Sequence, residues 1–157
     1  MHILMCNDDG ILADGLRHLA SYLSQYYRIT VVAPANEQSA KSHALTTEIP
    51  LKLDAYNGED ENPRLYALTG TPSDCMKFGL SYLLADDMPD LVISGINHGF
   101  NLGSDVLYSG TVSAAMESAF YGIPGLALSV ERYSIERGHE MHPFIHELIE
   151  KIYVNGN

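Results

Sequence analysis

Two adjacent carboxylates, Asp8 and Asp9, come directly after the apolar run from His2 to Cys6 and before Gly10. Unit charges ~4 Å apart repel by roughly 4 kcal/mol at an effective dielectric of about 20, and a cation between them relieves that repulsion. Because hard oxygen ligands favour Mg²⁺ or Mn²⁺, the pair is a candidate divalent-metal site. A solvated turn is the alternative, since Asx residues before glycine are ordinary turn residues. Asp86-Asp87 repeats the dipeptide before a different strand and is expected to bind nothing.

A glycine- and asparagine-rich stretch, SGINHGFNLG from Ser94, is the second candidate site. Its glycines let the backbone approach a ligand closely, and its asparagines offer both carbonyl oxygens and amide donors. The chain then reaches Ser109, Gly110 and Thr111 at the start of a strongly patterned helix, where free N–H groups and the helix dipole form a ready anion site. The alternative is that Ser109 or Thr111 acts only as a helix N-cap. Neither the dinucleotide-binding nor the P-loop glycine pattern is present.

Histidines offer weaker candidates. His98 lies in the glycine-rich stretch, where it either donates a proton, contacts the substrate or is an incidental loop residue. His43 lies near a second polar loop and has the same alternatives. His139 and His142 do not have a metal-ligand spacing with a further partner, so both are expected at the surface.

The composition limits the classes of function. The chain has 157 residues, of which 46% are hydrophobic and 18% charged, as in a globular domain. A net charge of −11 argues against nucleic-acid binding and means that a phosphate site needs a local positive source. No apolar run approaches the ~20 residues of a membrane span, and no basic region precedes the first apolar stretch. Cys6 and Cys75 are interpreted as core residues, and their low number favours a cytoplasmic location.

Hydrophobic periodicity indicates the elements that must position these residues. Short apolar runs read as strands, and apolar residues at i, i+3, i+4 and i+7 from Leu16 predict an amphipathic helix between the first two. The order strand, helix, strand with short joins is typical of a parallel sheet. The expected strands are 2–6, 28–33, 45–53, 64–68, 91–94 and 126–130, and the expected helices cover 16–23, 71–83, 112–122 and 145–152.

The predicted fold class is therefore α/β, with one domain, a mostly parallel sheet and helices on both faces. In such sheets ligands bind beyond the carboxyl ends of the strands. Three chemically unusual loops follow those ends, at residues 7–10, 36–42 and 95–111, and they are expected to converge.

Three stretches carry a resemblance to a known family: NDDGILADG from Asn7, TGTPSDC from Thr69, and SGINHGFNLGSDVLYSGTVSAA from Ser94. In this order the chain resembles the SurE family, survival proteins that act as metal-dependent 5'-nucleotidases and acid phosphatases. The resemblance implies a Rossmann-like three-layer catalytic domain over residues 1–157 and a homodimer or homotetramer. Family members are longer, so the family's C-terminal extension is expected to be missing from this chain and to continue beyond Asn157 in the intact protein.

The resemblance also implies the roles of individual residues. It implies one divalent ion per subunit, Mg²⁺ or Mn²⁺, and hydrolysis of nucleoside monophosphates, with 3'-nucleotides and short polyphosphate as further substrates. Asp8 and Asp9 are the expected catalytic residues, with Asp9 orienting or deprotonating the attacking water. The implied metal ligands are Asp8, Asp9, Ser39 and Asn97, and the implied phosphate contacts are Asn101, Ser109, Gly110 and Thr111.

One departure from the family and two rival functions bear on this interpretation. The second loop, at residues 34–40, keeps Ser39 but lacks the arginine usual in the family, which predicts altered substrate affinity. A phosphatase of the haloacid dehalogenase kind would form a phospho-aspartate, but that class uses Asp-x-Asp and this chain has no spacer between Asp8 and Asp9. The second rival is a non-catalytic nucleotide- or phosphate-binding module.

Overall fold

The computed structural model describes residues 1–155 and contains one six-stranded sheet. The strand order is β3-β4-β2-β1-β5-β6, and every neighbouring pair is parallel except β3 with β4. The predicted behaviour of the chain beyond Asn157 lies outside the described residues. The elements in chain order are β1 (His2–Cys6), α1 (Asp14–Leu23), β2 (Arg28–Pro34), β3 (Leu53–Ala55), β4 (Arg64–Leu68), α2 (Pro72–Phe78), β5 (Leu91–His98), α3 (Gly110–Glu117), β6 (Gly125–Val130) and α4 (Ile135–Asn155).

The central strand β1 is buried on both faces, because helices cover both sides of the sheet. Successive side chains on a strand point to opposite faces. Ile3 and Met5 accordingly join one apolar cluster with α1 and α4, while Leu4 and Cys6 join another on the side of α2 and α3. The α/β architecture with helices on both faces is therefore confirmed.

Helix α1 packs as its apolar periodicity predicts, and α2 has a clear chemical start signal. The predicted stripe of α1, which begins at Leu16, is fully buried against the sheet. At the start of α2, the Asp74 N–H donates to Thr71 Oγ1 while the Thr71 N–H donates to Asp74 Oδ2, a reciprocal capping box. In the part of the chain that the structure describes, no helix has the length and hydrophobicity needed to cross a bilayer.

Two predicted element boundaries were wrong. The segment expected to be extended at 45–53 reaches the sheet only at its end, where β3 covers Leu53–Ala55. Its first part is held at the start of α2, because the Thr46 N–H and the Thr46 hydroxyl both donate to Asp74. The strand expected at 91–94 continues as β5 to His98, with an irregular register between Ser94 and Asn97. The glycine-rich stretch thus begins inside the sheet.

The helix expected at 112–122 also differs from its prediction. The α-helix ends at Glu117 and continues as a 3-10 turn, Ser118–Tyr121. Its apolar residues at helical spacing are Val112, Ala115, Met116 and Ala119. They do not form one buried stripe, since Ala115 is buried but Met116 is 55% exposed, and the buried side also carries small residues and Glu117. Small side chains bring this helix close to the sheet.

The sheet has a topological switch point between β1 and β5. From β1 the chain builds outward through β2 to β4, then returns to the other side of β1 with β5 and continues to β6. The connections on the two sides of this boundary leave in opposite directions, which opens a crevice at the carboxyl ends of the strands. Asp8 and Asp9 follow β1 at this crevice, and Asn97 lies at the end of β5.

The close approach of α3 to β6 generates a stability prediction. A Cβ on Gly125 would lie 2.3 Å from the Ala115 carbonyl oxygen and 2.6 Å from Ser118 Oγ. Gly125→Ala should therefore reduce the free energy of unfolding by about 1–3 kcal/mol, as overpacking does. The matched control is Gly58→Ala, whose new Cβ would meet only the Glu61 side chain at 3.8 Å. Urea unfolding of both variants tests this, and equal losses would contradict the packing argument.

Candidate metal and phosphate site

The three loops expected to converge do meet at the carboxyl edge of the sheet. Three hydrogen bonds with backbone N–H donors connect residues 7–10, the loop after β2 and the segment that runs from the end of β5 to α3. These hydrogen bonds run from Gln38 N to Asp8 O (2.7 Å), from Ser42 N to Tyr108 O (3.1 Å) and from His98 N to Asp9 Oδ2 (3.3 Å). The convergence of the three loops that the sequence predicts is therefore observed in the structure.

Asp8 is buried beneath the first turn of α3. Thr111 Oγ1 donates a hydrogen bond of 2.5 Å to Asp8 Oδ1. A Cβ on Gly110 would lie 2.9 Å from the Asp8 Cβ and 3.1 Å from Asp8 Oδ2, so only glycine permits this approach. The positive end of the helix dipole therefore lies against the Asp8 carboxylate.

Asp9 is half-buried beside Asp8 and is less well compensated. Burial raises the pKa of Asp9, the His98 N–H opposes this rise, and the charges of Asp8 and Glu37 add to it. The electrostatics thus favour a proton or a cation at Asp9 at the expense of the bare carboxylate.

Asn7 holds the turn that presents the two carboxylates. Its Nδ2 donates to the Gly10 carbonyl at 3.0 Å, and its Oδ1 accepts from the Gly10 N–H at 3.1 Å. Gly10 has a φ of +99°, a conformation that other residues rarely adopt. The sequence analysis did not assign a role to Asn7, although an Asx residue three positions before a glycine was the available signal.

The side chains around the two carboxylates fit a hard divalent cation. Asn97 Nδ2 donates to the Gly99 carbonyl at 2.8 Å, which leaves its Oδ1 available as a ligand. The Ser39 hydroxyl donates to Glu37 at 2.8 Å, which leaves the lone pairs of its oxygen available. Within residues 1–155 there is no cluster of three or more His, Cys, Asp or Glu side chains arranged for a metal. A site here would therefore combine carboxylates with neutral oxygens and waters, as Mg²⁺ and Mn²⁺ sites do.

The residues beside Asp8 also offer donors to an anion. Ser109 caps α3, because its hydroxyl accepts from Val112 N and its carbonyl accepts from Ser113 N. The N–H groups of Gly110 and Thr111 have no carbonyl partner within α3, as helix geometry requires. Asn101 Nδ2 is buried and lacks a hydrogen-bond partner in the described structure, which suits an incoming phosphoryl oxygen.

One cavity of about 330 Å³ connects most of these groups. It is lined by Asp8, Ser39, Ala40, Asn97, His98, Gly99, Phe100, Asn101, Asp105, Tyr108 and Ser109. Phe100, Asp105 and Tyr108 were not singled out by the sequence analysis, because loop residues without a periodic pattern give no signal of facing a cavity. None of these lining residues is lysine or arginine, in agreement with the missing arginine of the second loop.

The remaining candidates lie away from this cavity or are inert. His142 was expected at the surface and is instead 95% buried beside Tyr22, between α1 and α4. Its burial, with His139 and His18 nearby, lowers the pKa of His142 to about 4. Cys6 and Cys75 are both free and buried, and burial raises the pKa of the Cys75 thiol, so neither resembles a reactive nucleophile.

The family model for survival protein SurE matches residues 3–156. The chain belongs to the SurE family. It is 49% identical over 156 residues to a 5'-nucleotidase SurE of Thermoanaerobacter sp. (strain X514), covering 99% of this chain and 61% of that protein. It is 52% identical over 139 residues to the 5'-nucleotidase SurE of Thermosipho africanus, covering 87% of this chain and 52% of the relative.

A solved SurE structure has the same fold. The crystal structure of the SurE protein from Aquifex aeolicus superimposes with a TM-score of 0.84 at 39% identity, covering 97% of this chain and 60% of that chain. The chain therefore spans about 60% of the length of this SurE protein and of the Thermoanaerobacter relative.

The acidic pair generates a prediction about metal binding. Millimolar Mn²⁺ or Mg²⁺ should raise Tm, because an ion that relieves the repulsion at Asp8 and Asp9 stabilises the folded state. The double variant Asp8→Asn/Asp9→Asn should lose this shift in differential scanning fluorimetry.

The chain offers a matched control with the same dipeptide. Asp87 pairs with Arg28 at 2.7 Å on the exposed surface, so Asp86→Asn/Asp87→Asn removes two carboxylates without touching the cavity. This variant should keep the full Mn²⁺ shift. If the Asp8/Asp9 variant also keeps it, the assignment of the metal site is wrong.

Proposed function

We propose that this chain is the catalytic domain of a metal-dependent phosphatase that hydrolyses nucleoside monophosphates, a 5'-nucleotidase. The observation that carries the proposal is the contact between Asp8 and the first turn of α3, which places oxygen ligands for a cation beside donors for an anion. Relatives that cover almost the whole chain are named 5'-nucleotidase SurE, which supports the same activity.

The proposed cofactor is one Mg²⁺ or Mn²⁺ ion per subunit, held by Asp8, Asp9, Ser39 and Asn97. SurE nucleotidases are generally metal-dependent, and the oxygen donors present here suit these two ions. When bound, the ion would act as a Lewis acid towards the phosphoryl group and lower the pKa of a water molecule.

The residues of the chain supply the other parts of the reaction. The proposed role of Asp9, whose pKa burial raises, is to orient the attacking water and to accept its proton. The Gly110 and Thr111 N–H groups and the Asn101 amide would hold the phosphoryl oxygens, where charge increases in the transition state. Thr111 fixes the Asp8 carboxylate through its hydroxyl, so the anion site and the metal site share one rigid contact. His98 lies in the same cavity and is a candidate proton donor to the leaving group.

The cavity fits a small phosphate ester better than a polymer. Its volume of about 330 Å³ is at the lower end of the range for small-molecule sites. The exposed aromatic rings of Phe100 and Tyr108 at its rim suit the base of a nucleotide. We propose 3'-nucleotides and short polyphosphate as secondary substrates, since they present the same terminal phosphate.

The two rival functions differ from this proposal in what they require of Asp8. A phospho-aspartate mechanism needs a free carboxylate nucleophile, whereas Asp8 Oδ1 accepts from Thr111 and the backbone of Gly110 packs against the side chain. A binding module needs no group to activate water, whereas the half-buried Asp9 beside Asp8 is suited to that task.

We further propose a homodimer or homotetramer that acts in the cytoplasm. Large apolar side chains are exposed on α3 and its flanking turns, including Phe120 at 77% and Leu107 at 72%, which is typical of an interface. The two free buried cysteines are compatible with a reducing compartment. Light scattering should therefore give a mass of two or four times 17.3 kDa, and a strictly monomeric mass at micromolar concentration would contradict the proposal.

The proposed activity predicts Mn²⁺-dependent release of phosphate from AMP. Asp9→Asn should reduce kcat by about 100-fold or more, as expected for loss of a general base. Thr111→Val keeps the side-chain shape but removes the hydrogen bond to Asp8, and should reduce kcat/KM by about tenfold or more. Thr47→Val, at an exposed position outside the cavity, is the matched control and should change neither constant.

The same assay separates the rivals. Binding of AMP without phosphate release in the wild type would favour the binding module. A phosphorylated Asp8 trapped by acid quench and detected by mass spectrometry would favour the phospho-aspartate mechanism.

A further inference from the structure

The segment that carries Ser39, residues 35–46, follows a path that its sequence does not favour. Ala40 and Ser42 have φ values of +57° and +52°, in the left-handed region where a Cβ is unfavourable. Such conformations persist only where surrounding contacts determine them. In the structure, the second loop begins after β2 and spans residues 35–46. Contacts with other parts of the fold must hold it in this path.

One of these contacts reaches a buried carboxylate on α3. His43 Nε2 donates to Glu117 Oε2 at 2.6 Å, and the Glu117 side chain is only 6% exposed. The ring of Phe120 lies 6.2 Å from the His43 ring and shields the pair from one side. Among the described residues, His43 is the side chain seen to hydrogen-bond to the Glu117 carboxylate. Leaving a buried carboxylate without its hydrogen-bond partner is costly, so this contact resists opening.

The other anchors of the second loop lie on either side of His43. Thr46 bonds twice to Asp74 at the start of α2, and the Thr71 hydroxyl donates to the Ala44 carbonyl. Before His43, the loop is held by main-chain bonds at Gln38 and Ser42. The Ser42 hydroxyl also donates to the Leu107 carbonyl at 2.9 Å. The His43–Glu117 contact comes directly after it, and it joins the loop to the helix whose other end covers Asp8.

We propose that His43 and Glu117 are positioning residues, which hold the second loop in its strained path and thereby place Ser39 at the metal site. The proposal rests on the proposed metal site, in which Ser39 is a ligand. Neither residue lines the cavity or touches the reacting groups. Their effect must reach Ser39 through the three residues between Ser39 and His43, with Glu117 fixed in α3.

The first test measures the loop without any metal. Hydrogen exchange of the Gln38 and Ser42 amides reports two main-chain bonds of the loop directly. His43→Ala should accelerate exchange at both amides by about tenfold or more while leaving β1 unchanged. His43→Gln, which keeps a donor for Glu117, should restore most of the protection. Unchanged loop exchange, or equal acceleration in β1, would overturn the proposal.

The second test measures Mn²⁺ affinity by isothermal titration calorimetry. His43→Ala should raise the Kd for Mn²⁺ by about tenfold, and the additional change Ala40→Gly should recover part of the loss, because glycine tolerates the left-handed conformation. In a Ser39→Ala background, His43→Ala should have little further effect, since residues that act through one group are not additive. Full additivity would show that the pair does not act through Ser39.

A matched control separates this role from general stabilisation. His146→Ala removes another His–Glu pair, with Glu150 at 3.9 Å on α4, far from the second loop. It should change neither loop exchange nor Mn²⁺ affinity. If the wild type does not bind Mn²⁺ at all, the proposed metal site fails, while the exchange experiment still decides whether His43 and Glu117 hold the loop.

Discussion

Asp8 carries a negative charge at the end of a strand that is buried on both faces, and that charge must be compensated inside the fold. The first turn of α3 provides part of the compensation through the Thr111 hydroxyl and the helix dipole. The contact requires a residue without a side chain at Gly110 and small residues along the buried side of α3. Compensation of this one buried carboxylate thus constrains how closely α3 must pack and which residues its buried side can carry.

The cavity that we propose to bind phosphate would have to attract an anion without lysine or arginine side chains. Its lining contains two carboxylates and neither lysine nor arginine, in a chain of net charge −11. Attraction must therefore come from main-chain N–H groups and from the proposed cation. Such a site discriminates by short-range geometry, because the long-range field of the protein repels phosphate.

Much of this fold was predictable because its signals are local. The buried run of β1, the stripe of α1 and the helix start at Thr71 are patterns within a few residues, and all three were predicted. The convergence of the loops followed from the general behaviour of parallel sheets. The sequence also brought Asp8, Asn97 and Thr111 into the candidate set before the structure placed them together.

The wrong or missing predictions have a different physical origin. Each concerns a residue whose structure depends on a partner that is distant in the sequence. The segment at 45–53 is not a strand because Thr46 is bound by Asp74, and the exposed side of α3 was misjudged because glycine and serine face the core. His142 is buried by the packing of α4 on α1, and Asp105 lines the cavity from a short 3-10 helix, Gly103–Leu107. The role of His43 depends on Glu117, which is 74 positions away.

The position of β1 in the sheet determines when the site can assemble during synthesis. β1 pairs with β5 in a register that joins Ile3 to Leu91, and Asp8 is covered by residues 110–111. While the ribosome is still translating the first hundred codons, the N-terminal strand can pair only with β2 and its acidic end stays hydrated. Such long-range pairing is slow, and an unpaired strand edge is a binding surface for chaperones in that interval. The contact between Asp8 and α3 can therefore form only after residue 111 has left the exit tunnel.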